Sequence, residues 1–528
     1  MDSSGISMRR RQLPRLVAAV LVLAAIFGIA RAGPANAAAI TVNCTADPNA
    51  LNVALTTASD GDTLSIQGTC KGTFEIARNL TLAGSDGATL DGEGSGTVLT
   101  VDVGKTVAIS DLTITRGNGP EAGGILNDGT LALTNSTIRG NSATVASFRN
   151  VAGGILNEHG ASLTLANSTV SGNTAGANVP FDTVVGGIAN LCCGSTVTLT
   201  NSTVSGNSTT GTPSDAFGGI LNSAPGDVVT LTNSTVSGNS ASAPGGPGAF
   251  SIAVGGISNA GGSLTLTSST LSGNSVNEPN GGLLPPAAGV NNVFGGTAVL
   301  TNSLVAGQSG GPNCYGVAAG ADSGYNLDDG ASCGFSTANH SLSSTNPLLD
   351  SAGLKDNGGP TQTIALLAGS PAVDLIPTGV NGCGTTITTD QRGLSRPQGS
   401  GCDIGSFELQ PQALVVAIDI KPGESPNAIN PRSNGTIAVG LLSTIALDAP
   451  SQIDASSLGF GRTGNEPSLA ACGAPEDVNG DGRADLVCRF TTQKTAFQAG
   501  DTQGILTGKT AGGTPIRGTD SVLIVPSS

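Results

Sequence analysis

The stretch LTNSTVSGN at residues 199–207 decides the fold, because the chain repeats it at a nearly constant spacing. The other copies, some of them altered, begin at Leu133, Leu165, Leu231, Leu266 and Leu300. Successive copies start 32, 34, 32, 35 and 34 residues apart, and a period of this size is typical of a solenoid or a propeller. Leu and Thr alternate within each copy, as in a strand with one face inward and one face in solvent.

A Gly-Gly-Ile segment with an asparagine two residues after the isoleucine precedes the copies, first at Gly123–Asn127. Glycine, asparagine and serine bound these short segments and supply the backbone conformations that corners need. The chain contains no tryptophan and therefore lacks the Trp-Asp signature of propeller blades, and no stretch after residue 37 shows a strong helical pattern. We therefore predict an all-β fold, with a parallel β-helix over residues 38–345 whose coils stack about 4.8 Å apart.

Stacked coils would align identical residues along the solenoid axis. We predict that the first asparagine of each copy joins a ladder of mutually hydrogen-bonded amides, interrupted by Ser268. The ladder residues would be Asn135, Asn167, Asn201, Asn233 and Asn302. The Asn-Ser-Thr triplets are also glycosylation acceptors, but their repetition at one position of every coil favours the structural interpretation. Phe148, Phe181 and Phe250 share another position and are predicted to form an internal aromatic stack.

The amino-terminal region is typical of a signal peptide. Four arginines precede an apolar run at 16–30, and a small-residue cleavage motif ends at Ala37. A membrane anchor is the alternative, but a transmembrane helix needs about 20 apolar residues. We predict a signal peptide over 1–37 and a secreted, possible cell-surface protein, without a transmembrane segment once that peptide is removed.

The composition of the 528 residues excludes some classes of partner and of fold. The net charge is −15 and only 11% of the residues are charged, whereas nucleic-acid binding needs clusters of basic residues. Low charge together with 38% hydrophobic residues disfavours wholesale disorder. These numbers fit a sheet-rich extracellular protein.

Eight of the ten cysteines form pairs that are close in sequence, which predicts four disulfides in an oxidising compartment. The predicted pairs are Cys44–Cys70, Cys314–Cys333, Cys383–Cys402 and Cys472–Cys488. The adjacent Cys192 and Cys193 are compatible with a vicinal disulfide, with reactive thiols or with a metal site. The metal site is the least favoured of the three, because no histidine lies within thirty residues of the pair.

The GGILN and LTNSTVSGN segments resemble the repeats of secreted bacterial right-handed parallel β-helix proteins, over about residues 40–345. Such proteins include pectin-cleaving enzymes, adhesins and passengers of secretion systems, so the resemblance implies a right-handed solenoid but no single activity. Four ordered motifs within 346–410, DNGGPT, GSPAVD, DQRG and CDIGSFE, resemble the choice-of-anchor Q domain. In that family the segment follows a β-helix.

Charge is concentrated in this Q-like segment. Its charged residues include Asp374, Asp390, Arg392, Arg396, Asp403 and Glu408. A carboxylate pair beside an arginine could serve a lyase or hydrolase site. We favour a paired network in a segment that caps the open end of the solenoid, because exposed strand edges need protection.

A third unit over 413–528 resembles a small β-sandwich-like module of secreted bacterial proteins and contains a D-x-N-x-D-G-x-x-D loop. Oxygen ligands two residues apart converge in such a tight loop and suit a calcium ion. The predicted ligands are Asp477, Asn479, Asp481, Arg483 through its carbonyl, and Asp485. Cys488 stands where an EF-hand would have its glutamate, so a paired-helix site is excluded, and a solvated turn is the alternative. We predict a structural calcium ion.

The coils are poor in catalytic side chains. Between Gly119 and Gly310 there are seven acids, two arginines and no lysine, and the acids do not share a position in the repeat. Lyases of this fold need clustered acids and a base, and hydrolases need paired carboxylates. His159 is predicted to be an ordinary surface residue. The least implausible cluster is Asp86, Asp91, Glu93, Asp111 and Arg116, in which Asp91 and Asp111 would stack on adjacent coils.

We therefore assign no catalytic residue. The leading hypothesis is an exported noncatalytic β-helix that serves in adhesion or envelope contact, with a calcium-stabilised carboxy-terminal module. Its partner would be an extracellular glycan or a cell-envelope surface. The alternative is a polysaccharide lyase or glycoside hydrolase of the pectin-degrading β-helix type.

Overall fold

The computed structural model describes residues 37–145, 150–177, 183–243, 251–278 and 284–525. The predicted signal peptide, apart from Ala37, and the predicted stack of Phe148, Phe181 and Phe250 lie outside these residues. Within the described ranges, no helix is long and apolar enough to cross a membrane.

The solenoid is a right-handed parallel β-helix, as predicted. One wall, which we name the threonine sheet, contains the alternating Leu/Thr strands. Its strands are Ala39–Asn43, Thr63–Lys71, Leu80–Asp91, Thr106–Ser110, Thr130–Thr134, Ser162–Ala166, Thr196–Thr200, Val228–Thr232, Ser263–Thr267 and Thr297–Thr301. A short wall follows the corner after this sheet. Its strands are Thr113–Thr115, Thr137–Arg139, Thr169–Ser171, Thr203–Ser205, Thr235–Ser237, Thr270–Ser272, Leu304–Ala306 and Leu327–Asp328.

The third wall, which we name the asparagine sheet, contains the Gly-Gly-Ile segments. Its strands are Phe74–Ile76, Leu99–Val101, Ile125–Asn127, Ile155–Glu158, Ile188–Leu191, Ile220–Asn222, Ile257–Ala260, Val290–Val293 and Cys314–Tyr315. Equivalent residues pair in register, for example Leu165 with Leu199 and Ile155 with Ile188. The inward Leu, Ile and Val side chains of the walls form one continuous core.

Two small sheets extend from the coils, and we name them together the side arm. Their strands are Asn118–Gly119, Ser142–Val145, Thr174–Ala177, Ser208–Gly211, Ser240–Ser242 and Ser275–Asn277 in one sheet, and Asn150–Ala152, Thr183–Val185, Asp215–Phe217 and Ile252–Val254 in the other. Small side chains such as Ala143, Ala175 and Val184 form a thin core within this arm.

The predicted asparagine ladder exists, but the prediction named the wrong asparagines. Asn135, Asn167, Asn201, Asn233 and Asn302 occupy corners with left-handed φ values of 46° to 52°, as does Ser268. Asparagine tolerates this conformation better than most residues. The amide ladder instead contains the asparagines of the asparagine sheet, where each Nδ2 donates to the next Oδ1 over 2.6–2.8 Å. Its members are Asn127, Asn157, Asn190, Asn222, Asn259 and Asn292.

A second buried ladder contains the last asparagine of each LTNSTVSGN copy. Asn141, Asn173, Asn207, Asn239 and Asn274 are linked in turn over 2.9–3.0 Å. Because the amides of these two ladders are paired along the axis, they carry little desolvation cost.

The sequence predicted that the Q-like segment caps the open end of the solenoid. In the structure it does more than close that end. It lies along the short wall and bonds to several coils in succession: Thr203 Oγ1 donates to the Gln362 carbonyl, Asn233 Nδ2 to the Thr389 carbonyl and Asn302 Nδ2 to the Asn381 carbonyl. Its own buried residues also pack on the last coils around Leu304 and Leu327. Within it, Ile376–Pro377 pairs with Gly401–Cys402. The Q-like segment therefore covers the short wall of the solenoid as well as its end.

Helices are few in the described ranges. Ala50–Thr57 is an α-helix at the amino-terminal coil, where Leu51 and Ala54 are buried in the core. This helix was not predicted, because eight residues give little helical periodicity. The other helical turns are the α-helix Ala449–Gln452 and the 3-10 turns Ala319–Ala321, Thr337–Asn339, Val380–Gly382 and Thr492–Thr495.

The carboxy-terminal module contains two four-stranded sheets that share one core, in agreement with a sandwich-like unit. The first sheet has the order Leu414–Val415, Pro515–Ser521, Gln503–Thr510 and Ile453–Gly461, and the second has the order Ile418–Ile420, Thr436–Leu441, Leu486–Thr491 and Leu469–Cys472. A short parallel pair, Ala428–Ile429 with Leu523–Ile524, accompanies them. Phe460 and Phe490 are fully buried between the sheets.

Candidate functional site

All four predicted disulfides are present: Cys44–Cys70, Cys314–Cys333, Cys383–Cys402 and Cys472–Cys488. Cys192 and Cys193 have free sulfurs. Of the three alternatives for this pair, the vicinal disulfide is therefore not the state of the structure.

The predicted calcium ligands form an exposed turn in the carboxy-terminal module. The carboxylate of Asp477 accepts from the backbone N–H groups of residues 480, 481 and 482, and Asn479 Oδ1 accepts from the N–H of Asp481. Asp481 Oδ1 accepts from the N–H of Arg483. These oxygens are of the type that a hard cation takes, and they stand on one tight loop.

Asp485 differs from the other predicted ligands. Its side chain is fully buried, and its two oxygens accept from the N–H groups of Ser443 and Val478 over 2.7 and 3.1 Å. It therefore fixes the base of the loop to the neighbouring strand. The side chains of Asp477, Asn479 and Asp481 are exposed on the turn, whereas that of Asp485 is buried.

The acids of the first coils are paired separately. Asp91 Oδ1 lies 3.1 Å from Arg116 Nε, and Glu93 lies 3.0 Å from Lys71. Asp91 is in register with Thr115, whereas Asp111 accepts from Asn135 Nδ2 over 3.2 Å. The expectation that Asp91 and Asp111 stack was wrong, because Asp111 belongs to the corner row and Asp91 ends a strand.

The charged residues of the Q-like segment do come together, but they bind the segment's own backbone. Arg396 is buried and donates to the carbonyls of Asp403 and Gly405 over 2.8 and 2.6 Å. Arg392 lies 2.7 Å from Asp390 and stacks on the Phe407 ring. Burial, and then the charge of Glu408, raises the pKa of Asp403. The interpretation as a structural network fits this arrangement, since the donors point into the segment and not into a cleft.

A groove that the sequence did not indicate has Asp215 in its lining, and the carboxylate of Glu278 lies nearby. An open cavity of about 110 Å³ lies between the side arm and the outward face of the asparagine sheet. Its lining residues are Asn150, Thr183, Asp215, Phe217, Leu221, Ser223, Ile252, Ser258, Ala260, Val293 and Phe294. Burial raises the pKa of Asp215 to about 6, and the nearby charge of Glu278 adds to the rise. Burial also raises the pKa of Glu278, whose Oε1 accepts from Ser251 Oγ over 2.8 Å.

Ser258 in the groove lining and its neighbour Asn291 have buried polar atoms without partners. Ser258 and Asn291 are in register on the outward face of the asparagine sheet, and both are at most 1% exposed. The hydroxyl of Ser258 and both amide atoms of Asn291 make no hydrogen bond. An unsatisfied buried polar group costs about 1–3 kcal/mol, so such groups usually await a partner.

An aromatic residue stands at the edge of the same groove in a strained conformation. Phe294 is 62% exposed and has a φ of 53°. The left-handed region costs a bulky residue about 1–2 kcal/mol, and strain of this kind is often associated with function. The sequence signal was present but was not used: Phe294 precedes Gly295-Gly296 at a corner where the other coils have small or polar residues.

The outward face of the threonine sheet offers a contrast. From Thr130 to Thr301 its outward side chains are Thr, Ser, Ala and Val, without a charged group in these strands. This flat face carries hydroxyls but no general acid or base. The ionisable chemistry of the coils is therefore found at the asparagine sheet.

His159 lies on the surface, but it is paired and not isolated. Its Nδ1 lies 2.8 Å from Asp128 Oδ1, and Glu158 is its neighbour in sequence. Glu158 is also in register with Leu191, so the turn with His159 lies one coil below Cys192. His159 and Cys192 are 33 residues apart, which is the length of one coil. The histidine is therefore more than thirty residues from the cysteine pair in sequence although it lies on the adjacent coil.

Comparison with known proteins gives little further information. No family model matches the chain, and no curated protein matches it. Among solved structures, the crystal structure of pectate lyase Pel9A is similar, with 14% sequence identity and a TM-score of 0.41. The match covers 71% of this chain and 97% of that chain. Similarity at this level does not transfer an activity, a substrate or a catalytic residue to the present protein.

Proposed function

We propose that the protein is an exported, noncatalytic β-helix that binds a neutral extracellular polysaccharide in the groove beside Phe294, and that this binding serves adhesion or envelope contact. The observation that carries the proposal is the buried, unpartnered hydroxyl of Ser258 in the groove lining, beside the unpartnered amide of Asn291. Sugar hydroxyls both donate and accept, so they can pair with a hydroxyl and with both ends of an amide.

The rest of the groove supports a sugar ligand. Phe217 and the exposed ring of Phe294 offer apolar surface, while Asn150, Thr183 and Asp215 offer polar groups near it. Binding sites for small ligands combine apolar walls with a few polar groups in this manner. The carboxylates of Asp215 and Glu278 would repel uronic acids, and this favours a neutral chain over pectate.

The same carboxylates support a second candidate function, a glycoside hydrolase. Hydrolases use two carboxyl groups, one of them with a raised pKa, as general acid and base or nucleophile. Burial and the charge of Glu278 give Asp215 that property. A lyase is less well supported, because β-elimination needs a basic proton abstractor and the groove lining has no Lys, Arg or His among the described residues.

The two functions can be separated with the full-length secreted chain and a panel of soluble polysaccharides. Affinity electrophoresis measures binding, and release of reducing ends measures cleavage. We expect retardation by a neutral polysaccharide, its loss in Phe294→Gly, and no released ends. Val103→Ala, at a position that is 69% exposed outside the groove lining, is the matched control and should bind normally.

Release of reducing ends that disappears in Asp215→Asn would establish the hydrolase and overturn the noncatalytic proposal. Equal retardation of wild type and Phe294→Gly would overturn the groove as the binding site. Because Gly relieves the strain at this φ, a loss of binding in Phe294→Gly would not reflect a loss of folding.

We further propose that the loop with Asp477, Asn479 and Asp481 holds a structural calcium ion. The support is the set of exposed carboxylate and amide oxygens on one tight turn, with Asp485 fixing its base. The ion would stabilise the carboxy-terminal module and take no part in glycan binding.

A further inference from the structure

Three ligand-type side chains converge at a corner that follows the asparagine ladder. Asn127 and Asn157 pair on adjacent coils, so the residues that come next, Asp128 and Glu158, lie at the same corner. His159 follows Glu158 and adopts a left-handed φ of 60°. One ligand atom from each of Asp128, Glu158 and His159 lies within 4.8 Å of the others.

The imidazole nitrogen faces two negative groups. Nδ1 of His159 lies 2.8 Å from Asp128 Oδ1 and 3.9 Å from Glu158 Oε1. In a neutral ring whose proton is on the other nitrogen, the Nδ1 lone pair would point at carboxylate oxygens, which is repulsive. A proton on Nδ1, in the neutral or the charged ring, removes this repulsion by bonding to Asp128, and a metal ion held between the three atoms removes it as well.

The surroundings supply no other cation. In the part of the chain that the structure describes, His159 is the only basic side chain that pairs with Asp128 or Glu158. The side chains of Asp128 and Glu158 are 17% and 21% exposed, and that of His159 is 57% exposed. The group is therefore sheltered on the carboxylate side and accessible to an ion from solvent on the histidine side.

We propose that Asp128, Glu158 and His159 bind a divalent transition-metal ion of the zinc class, with a solvent-accessible remaining position. Zinc is bound by histidine nitrogens and by Asp or Glu oxygens, so all three side chains are of a type that zinc takes. Calcium and magnesium prefer oxygen donors alone, so the nitrogen selects against them.

The free thiols of the next coil are a second set of candidate zinc ligands close to this corner. Because Glu158 is in register with Leu191, Cys192 and Cys193 form the equivalent corner directly along the axis. Thiolates also bind zinc, but neither sulfur belongs to the converging group. The site is therefore assigned to the histidine and the carboxylates, and the thiols are its most stringent control.

The test is zinc binding by the full-length, metal-free protein, measured by equilibrium dialysis with ZnCl2 and by calorimetry. We expect one zinc ion per chain in the presence of excess calcium. Asp128→Asn, Glu158→Gln and His159→Gln should each weaken binding by more than about tenfold. Cys192→Ser/Cys193→Ser should bind as wild type, and so should Asp481→Asn in the calcium loop.

Cobalt gives a second readout that does not depend on affinity alone. The absorption spectrum of the Co²⁺ form should lack a thiolate charge-transfer band and should change in His159→Gln. Wild-type zinc binding in His159→Gln, or loss of binding in the double cysteine variant, would overturn the assignment. The corner lies on the surface, and unchanged circular dichroism of the variants would show that loss of zinc is not loss of folding.

Discussion

The Nδ2 of Asn157 donates to the Oδ1 of Asn190 over 2.8 Å, although the two residues are 33 positions apart in the sequence. The same Nδ2 also donates to the carbonyls of Ala161 and Thr196. Each amide thus ties its own turn to the next coil. The stack is held together by buried polar links as well as by the aliphatic core.

Removal of one link should be costly. Asn190→Ala takes the acceptor from Asn157 and the donor from Asn222 and leaves buried groups without partners. We expect a loss of about 3 kcal/mol in the free energy of unfolding, measured from the urea midpoint. Thr198→Ala, on the outward face of the threonine sheet, is the control and should change it by less than about 0.5 kcal/mol. Equal effects of the two substitutions would refute the ladder's contribution.

Gln391 should fix the Q-like segment to the coils. It is fully buried, its Nε2 donates to Thr203 Oγ1, and its Oε1 accepts from Thr235 Oγ1. Gln391→Ala is expected to lower the free energy of unfolding by about 2 kcal/mol and to increase proteolysis within 346–410. Gln412→Ala, at an exposed position, should do neither. Protection of the segment in both variants would contradict this role.

Asp215 should make stability depend on pH. Its folded-state pKa of about 6 lies above the model-compound value of 3.8, so ionisation is disfavoured in the folded state. Stability is then greatest below pH 4 as far as this group is concerned, and it is lost as the pH rises through 6. At pH 8, Asp215→Asn should be more stable than wild type by about 1–2 kcal/mol, since solvent screening weakens the penalty on the ionised carboxylate. At pH 4 the two proteins should be equally stable. Thermal melts across this range test the difference, and a constant offset would contradict it.

Calcium should stabilise the carboxy-terminal module through its loop. At a calcium concentration of about 100 times the dissociation constant, binding adds about 2.7 kcal/mol. We expect the calcium-induced rise in the melting temperature of the module to disappear in Asp481→Asn. Asp454→Asn removes an exposed carboxylate from the strand Ile453–Gly461 of the same module and should keep the rise. A rise that persists in Asp481→Asn would place the ion elsewhere.

The disulfide Cys383–Cys402 should stabilise the Q-like segment. Both residues are buried and lie 19 positions apart, and closure of a loop of this length contributes about 3 kcal/mol. Cys383→Ser/Cys402→Ser should melt at a lower temperature without added reductant. Cys192→Ser/Cys193→Ser changes no disulfide and should melt as wild type. A lower melting temperature in the second variant alone would be inconsistent with the assignment.

The β-helix could be predicted because its period, its strand alternation and its corner residues all indicate the same structure. The alternation of inward and outward side chains along a strand also identifies the correct ladder. In Ile125-Leu126-Asn127 the isoleucine is inward, so the asparagine two residues later is inward as well. The prediction instead assigned Asn135 to the ladder, because repetition alone does not distinguish an inward position from a corner.

The groove and the zinc corner could not be predicted from residue spacing. Asp215 lines the groove and Glu278 comes near it from a different coil, and the two acids share no position in the repeat. His159 and Cys192 are near each other only because one coil contains 33 residues. Proximity across coils becomes visible only once the register is known.

The ladder has a consequence for how such a chain can change over time. Consecutive ladder asparagines are separated by 30, 33, 32, 37 and 33 residues, yet they remain hydrogen-bonded at 2.6–2.8 Å. Coils that differ in length by several residues therefore stack without a shift in register. A lineage can alter the length and sequence of the arm and corner segments one coil at a time, and an engineer could graft foreign peptides there, while the buried amides keep every other coil in place.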